Sequence, residues 1–157
     1  MIEITGNYWE EAKGDSPRYD ALVCTTNKMV KKNGCLVMGA GIARDFRDTF
    51  SDIDLHWGRC LSNGYHQNGF MVETRQLSFG GSRMLSLVAF PTKDHWKNDS
   101  LIDLIRLSAL TLRSTSDIMG WKAILMTRPG CGNGGLEWSR VRNEISFLDD
   151  RFRIIDR

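Results

Sequence analysis

Two glycine-rich loops constrain this chain more than any other feature. Each follows an apolar run and leads into a helical pattern. The first is Val37-Met38-Gly39-Ala40-Gly41-Ile42-Ala43, and the second is Pro129-Gly130-Cys131-Gly132-Asn133-Gly134-Gly135-Leu136. A strand that ends in glycines before a helix presents bare backbone N–H groups at the positive end of that helix. Folds seat anions, usually phosphates, in this way. A chain of 157 residues is too short for two nucleotide domains. Two such loops in it point to one diphosphate gripped from both sides.

The length suits one domain spanning residues 1–157. With 41% hydrophobic and 25% charged residues, a globular, soluble protein is expected. A net charge of +2 gives no reason to expect a surface that coats polyanions, although a local basic patch stays open. No apolar run approaches the ~20 residues of a membrane span, and the N-terminus lacks a signal-peptide pattern. Cys24, Cys35, Cys60 and Cys131 are widely spaced, with no CxxC pair. Neither a disulfide framework nor a zinc site is expected, and a reducing cytoplasm fits. His56 and His66 have no companions that suggest a metal site.

Strands and helices alternate along the chain. Ile2 to Thr5 reads as a short edge strand, and Ala21 to Thr26 as a buried strand closed by Asn27. Met29 to Gly34 is a basic turn. Ile42, Ala43, Phe46 and Phe50 stripe one helix, and Ile53, Trp57, Cys60 and Leu61 a second. Phe70 to Phe79 and Met84 to Phe90 read as strands joined at Gly80-Gly81. Ser100, with Asp103 three residues on, spells a capping box before a stripe of Leu101, Ile105, Ala109 and Leu112. Ala123 to Thr127 is another buried strand. Trp138, Val141, Ile145 and Leu148 stripe the last helix, and Phe152 to Ile155 form the final strand. The pattern predicts an α/β fold whose mostly parallel sheet is covered on both faces. Ligands then bind beyond the carboxyl ends of the strands, where both glycine loops fall.

Several side chains have two readings. Gly130, Gly132 and Gly135 spell GxGxxG, with Asp156 downstream, the literal dinucleotide fingerprint. That unit closes the sequence and leaves the first loop unexplained, so the nicotinamide reading is not favoured. Cys131 is a candidate nucleophile or simply a small loop residue. Asn27 is either a turn former or a holder of a sugar hydroxyl. In Phe90-Pro91-Thr92-Lys93-Asp94-His95-Trp96, Lys93 is a solvated lysine, a nucleophile or an electrophilic anchor. His95 is a general base or a capping residue. Trp96 and Trp138 wall a pocket or pack a core.

Over Gly6 to Trp138 the chain resembles the macrodomains, α/β modules that bind ADP-ribose. Thr25-Thr26-Asn27 with Val37 to Ala43 is similar to that family's strand-end asparagine and first phosphate loop, and Pro129 to Leu136 to its second. The details resemble the lysine-dependent glycohydrolase branch, which strips ADP-ribose from nucleic acid or acidic side chains. That branch includes antitoxin macrodomains acting on ADP-ribosylated thymidine. The resemblance implies a three-layer macrodomain with a mixed, mostly parallel sheet. It also implies that Asn27 holds the distal ribose, and that Gly39, Ala40, Gly41 and Ile42 cradle the diphosphate with Gly130, Cys131, Gly132, Asn133, Gly134, Gly135 and Leu136. Lys93 matches the lysine that acts at the anomeric carbon. Asn7 stands where family members usually carry an acid that reads the adenine amino group. An amide makes a weaker, neutral contact there. Gly134 stands where some lysine-dependent members have an acid, although the antitoxin type also has glycine. The turn from Lys28 to Cys35 is longer than in many relatives.

The leading expectation is therefore a cytoplasmic, monomeric hydrolase with no metal or cofactor, which removes ADP-ribose from a modified nucleic acid or protein. The alternatives are a phosphatase for ADP-ribose 1''-phosphate and a module that only binds ADP-ribose or a related nucleotide.

Overall fold

The computed structural model describes residues 1–15, 17–64, 68–78 and 82–156. Eleven elements follow in the order β1 (Ile2–Thr5), α1 (Tyr8–Lys13), β2 (Ala21–Thr26), α2 (Gly41–Thr49), α3 (Ile53–Ser62), β3 (Met71–Leu77), β4 (Arg83–Pro91), α4 (Ile102–Met119), β5 (Ile124–Thr127), α5 (Trp138–Glu144) and β6 (Phe152–Asp156). The six strands form one sheet in the order β1-β6-β5-β2-β4-β3. All neighbours are parallel except β3 and β4, whose antiparallel register runs from Met71 opposite Ala89 to Leu77 opposite Arg83. The expected turn at Gly80-Gly81 and its neighbour Phe79 lie outside the described residues, as does His66.

The central strand β2 shows why the sheet has three layers. Successive side chains point to opposite faces, so a strand covered on both sides must be apolar throughout. Leu22 and Cys24 pack with Tyr8, Phe46 and Trp57 beneath α1, α2 and α3. Ala21 and Val23 pack with Ile105, Leu112, Trp121 and Phe152 beneath α4 and α5. Strand β4 repeats the alternation, with Leu85, Leu87 and Ala89 on the first face and Val88 and Phe90 on the second. No helix among the described residues is long and apolar enough to cross a membrane.

Three local expectations need correction. The capping box at Ser100 does not form. Helix α4 starts two residues later, with Leu101 at its N-cap and no side-chain cap. Ser100 is instead drawn against the second glycine loop, where its N–H donates to the Gly134 carbonyl at 2.9 Å. Leu101 leaves the buried stripe and is exposed, while Leu104 and Ser108 fill the inner face. The last helix is shorter than its stripe. It ends at Glu144, and Ile145 and Leu148 stay buried in the turn that follows.

Candidate functional site

A cavity of about 790 Å³ opens where the strands end. Thr25, Thr26 and Asn27 at the end of β2 line it, with the 37–43 loop, Thr92 and Lys93 beyond β4, the 127–134 segment, and Ile155 and Asp156 of β6. Both glycine loops therefore border one space. They also nearly touch, because a Cβ built on Gly41 would lie 3.4 Å from Asn133 Nδ2.

The first loop ends in α2. Ala40 occupies the N-cap without a side-chain hydrogen bond, and the first turn carries no acid. Its leading N–H groups are left for an anion. Gly41 has φ +56°, a left-handed conformation that glycine adopts without strain. In the second loop the Gly130, Cys131 and Gly132 carbonyls are used internally, the last by the Gly135 N–H at 3.2 Å. Leu136 N–H donates to Gly130 at 3.0 Å and Gly135 N–H to Cys131 at 3.2 Å. Gly134 is tightly enclosed, since a Cβ there would sit 2.3 Å from the Gly130 oxygen and 2.3 Å from Ser100 Oγ. Gly132 has nothing within 4 Å of its Cβ position.

Lys93 is not a solvated lysine. It is only 8% exposed. Its Nζ donates to the Asn98 carbonyl at 2.6 Å and to the Asn133 carbonyl at 2.8 Å. These bonds tie the segment after β4 to the second loop and fix the amine at the cavity wall. Thr92 anchors the same segment to β2, through its N–H to the Thr26 carbonyl at 2.9 Å.

Asn27 spends its amide on the loop. Its Oδ1 accepts from Met29 N–H at 2.9 Å, and its Nδ2 donates to the Val37 carbonyl at 2.9 Å. It is a turn former that also lines the cavity. His95 Nδ1 accepts from Lys97 N–H at 3.2 Å, the capping alternative to a general base. Burial pushes the Cys131 thiol up to about 11, with smaller opposing effects from charged neighbours. That shift disfavours the thiolate and so counts against the nucleophile reading. Asn7 caps α1, its Oδ1 accepting from the N–H groups of Trp9 and Glu10 at 2.9 and 3.2 Å. Neither Asn7, Gly135 nor Leu136 is among the cavity-lining residues.

No protein-family model matches the sequence. The DNA ADP-ribosyl glycohydrolase of Mycobacterium tuberculosis is 29% identical over 129 residues, covering 80% of this chain and 36% of that protein. The enzyme of the same name from Thermus aquaticus is 28% identical over 128 residues, covering 80% of this chain and 33% of that protein. The chain thus spans about a third of the length of the curated relatives it matches. The macrodomain of Thermus aquaticus DarG superposes with a TM-score of 0.78 at 25% identity, over 99% of this chain and 97% of that one. That of Mycobacterium tuberculosis DarG gives 0.73 at 25% identity, over 98% and 96%. Thermosipho africanus DarTG, solved in complex with ADP-ribose, gives 0.78 at 23% identity, over 99% of this chain and 41% of that one.

The chain has the macrodomain fold. Sequence reasoning did not assemble one end of the cavity. Arg128 Nη1 pairs with Asp156 Oδ2 at 2.8 Å, and its guanidinium lies 5.2 Å over the Trp138 ring. Glu3 accepts from Arg142 Nε at 2.5 Å and Trp138 Nε1 at 2.9 Å. Those two bonds, Arg142's first, hold the Glu3 carboxyl below its ordinary range. The signals for this end were Asp156 as the acid after GxGxxG and Trp138 as one of two tryptophans that wall a pocket or pack a core. Three polar atoms of cavity-lining residues, Thr26 Oγ1, Ser100 Oγ and Arg128 Nε, are buried without a hydrogen-bond partner among the described residues. Buried polar groups are normally satisfied, so this cavity suits a polar ligand.

Proposed function

We propose that this macrodomain binds ADP-ribose across its two glycine loops and hydrolyses its bond to a modified nucleic acid. The observation that carries the reading is the buried Lys93 amine, fixed by two backbone carbonyls beside a loop built for phosphate. In this reading the diphosphate lies between the start of α2 and the Gly130–Gly134 backbone. The distal ribose then lies toward Asn27 and Lys93, and the base toward Arg128, Asp156 and Trp138. The similarity to DNA ADP-ribosyl glycohydrolases supports nucleic acid as the carrier.

The two carbonyls also limit what Lys93 does. A neutral amine has two N–H groups, enough to satisfy both acceptors, and its lone pair takes a remaining tetrahedral position. It attacks the anomeric carbon as the bond to the carrier base breaks and the base leaves with a proton; water then hydrolyses the resulting lysyl imine, freeing ADP-ribose and the amine. A charged ammonium keeps a third N–H in place of the lone pair and stabilises a departing group electrostatically. The test is hydrolysis of ADP-ribosylated DNA, ADP-ribosylated protein and ADP-ribose 1''-phosphate by wild type and Lys93→Ala. The variant should lose at least about a hundredfold in turnover of the DNA substrate, about 2.7 kcal/mol of barrier. A thermal melt and an ADP-ribose titration check that the two loops stay in place without their lysine tie. A loss of only severalfold would leave Lys93 a structural strut. A borohydride-trapped adduct, present in wild type and absent in the variant, separates the covalent route from the electrostatic one.

A further inference from the structure

Thr26, Asn27 and Lys28 follow one another at the end of β2, and each holds a different part of the cavity wall. Asn27 takes the first glycine loop, its Nδ2 donating to the Val37 carbonyl at 2.9 Å. Thr26 and Lys28 take the segment that carries Lys93, one on each side of it. The Thr26 carbonyl accepts from Thr92 N–H at 2.9 Å, and Lys28 N–H donates to the Asp94 carbonyl at 3.2 Å. Lys93 is thus the residue between two backbone anchors, and its Nζ reaches on to the Asn98 and Asn133 carbonyls. A side-chain contact reinforces the second anchor. Lys28 Nζ pairs with the Asp94 carboxylate at 2.5 Å, the lysine side chain being only 25% exposed. Its stem is confined as well. A Cβ built on Gly69 would lie 2.9 Å from Lys28 Cγ and 3.6 Å from Pro91 Cβ, so the Gly69 backbone lies against both the stem and the end of β4.

We propose that Lys28 is a positioning residue for Lys93. Lys28 does not line the cavity and holds no part of ADP-ribose. A partly exposed ion pair adds little stability, because water screens it and two side chains must be ordered. What the pair fixes is a distance. Lys28 holds Asp94, the neighbouring Asn27 holds the loop that seats the diphosphate, and one peptide bond joins the two restraints. The amine is thereby set against the anomeric carbon of a ligand whose phosphates hang from the same strand end. Displacing it by about an ångström costs up to about a hundredfold in turnover, whereas the phosphate seats keep the ligand bound. This inference rests on the reading of the cavity as a hydrolase site for ADP-ribosylated nucleic acid.

The test uses Lys28→Met, which keeps the stem and removes the charge, Asp94→Asn, the two combined, and Lys28→Arg. Three quantities are measured on each: turnover of ADP-ribosylated DNA, calorimetric affinity for ADP-ribose, and exchange of the Lys93 Nζ protons by NMR, with the signal assigned through Lys93→Arg. Lys28→Met and Asp94→Asn should each lower kcat at least about tenfold and keep the ADP-ribose Kd within about twofold. Both should melt within about 3 °C of wild type. Exchange at Lys93 Nζ should quicken at least about fivefold in both, as its two carbonyls lose their hold. The double variant should be no worse than either single one, because both remove the same interaction. Lys28→Arg should restore most of the turnover. The proposal is overturned if Lys28→Met turns over and exchanges like wild type. It is equally overturned if ADP-ribose affinity falls as far as turnover does, or if the double variant shows the product of the two single losses. Absence of turnover in wild type refutes the hydrolase reading instead. The exchange measurement then still decides whether Lys28 sets the amine: quickened exchange in Lys28→Met upholds the restraint, and unchanged exchange refutes it.

Discussion

Gly134→Ala is the most exacting test of the second loop, because the substitution adds one methyl group. The position does not need a left-handed backbone, so the argument is one of space alone. The new carbon would sit 2.3 Å from the Gly130 carbonyl oxygen and 2.3 Å from Ser100 Oγ. Ser100 can rotate its hydroxyl away, since that atom has no partner to lose among the described residues. The Gly130 carbonyl cannot move freely, because it accepts the Leu136 N–H at 3.0 Å. Relief requires the loop to open by about an ångström, an overpacking cost of about 1–3 kcal/mol. For a chain of 157 residues that corresponds to a Tm fall of roughly 3–10 °C. The same movement would draw the Asn133 carbonyl from Lys93 Nζ, now 2.8 Å away, and displace the phosphate seat. ADP-ribose affinity should fall at least about tenfold. Gly132→Ala is the control, since nothing lies within 4 Å of its Cβ position. It should melt within about 1 °C of wild type. Circular dichroism melts and calorimetric titrations of both variants decide the matter. The reasoning is refuted if Gly134→Ala melts and binds like wild type, or if Gly132→Ala is equally damaged.

ADP-ribose should bind in the micromolar range, about 7–8 kcal/mol, and more tightly than AMP. Equal calorimetric affinities would sink the model of two loops on one diphosphate. Gly132→Glu places a carboxylate in open space beside the proposed phosphate seat. It should abolish ADP-ribose binding while leaving the melting curve intact, and normal binding would move the site elsewhere. Cys131→Ser should keep turnover within severalfold, and iodoacetamide should label Cys131 slowly at pH 8, because burial pushes its thiol up to about 11. A loss of tenfold or more would restore the cysteine to the chemistry. Asp149 has its carboxyl lowered chiefly by the hydrogen bond from Arg151. Its contribution is therefore complete above the ordinary carboxylate pKa and lost as pH falls through the depressed value. Asp149→Asn should lower Tm slightly at pH 7, by 1–3 °C at most given solvent screening. The gap to wild type should close below about pH 4, and a gap that widened in acid would reverse the assignment.

The core strands and both glycine loops were legible because their signals are local. β2, β4 and β5 are buried on both faces, so each announces itself as a mostly apolar stretch, broken in β4 by Ser86. The loops announce themselves as glycines between a strand and a helix. What stayed hidden depends on partners distant in sequence. Ser100 reads as a cap until Gly134, brought in by the second loop, takes its N–H. Lys93 stands out in sequence as a solvated lysine, a nucleophile or an electrophilic anchor, but its burial and fixed position come only from the carbonyls of Asn98 and Asn133 that converge on it. The Arg128–Asp156–Trp138 end is assembled from β5, β6 and α5, and no single window of sequence contains it. Asn7 shows the reverse case. Its local chemistry, a cap on α1, accounts for its oxygen, and an adenine contact there would have to use what the cap leaves.

The strand order has a consequence for how the chain comes to be folded. β1 pairs only with β6, Ile2 standing opposite Arg153 and Thr5 opposite Asp156. β6 is also the outer neighbour of β5. During synthesis β1 therefore waits for β6, and its backbone groups depend on water until then. A nascent chain that has released residues 1–151 already holds both glycine loops and Lys93, yet two of its strands lack the partner between them. Contacts this remote in sequence are slow to close, and an unpaired edge is an invitation to neighbouring chains. Loss of β6 should thus be felt first as aggregation during expression, well before any question of ligand arises.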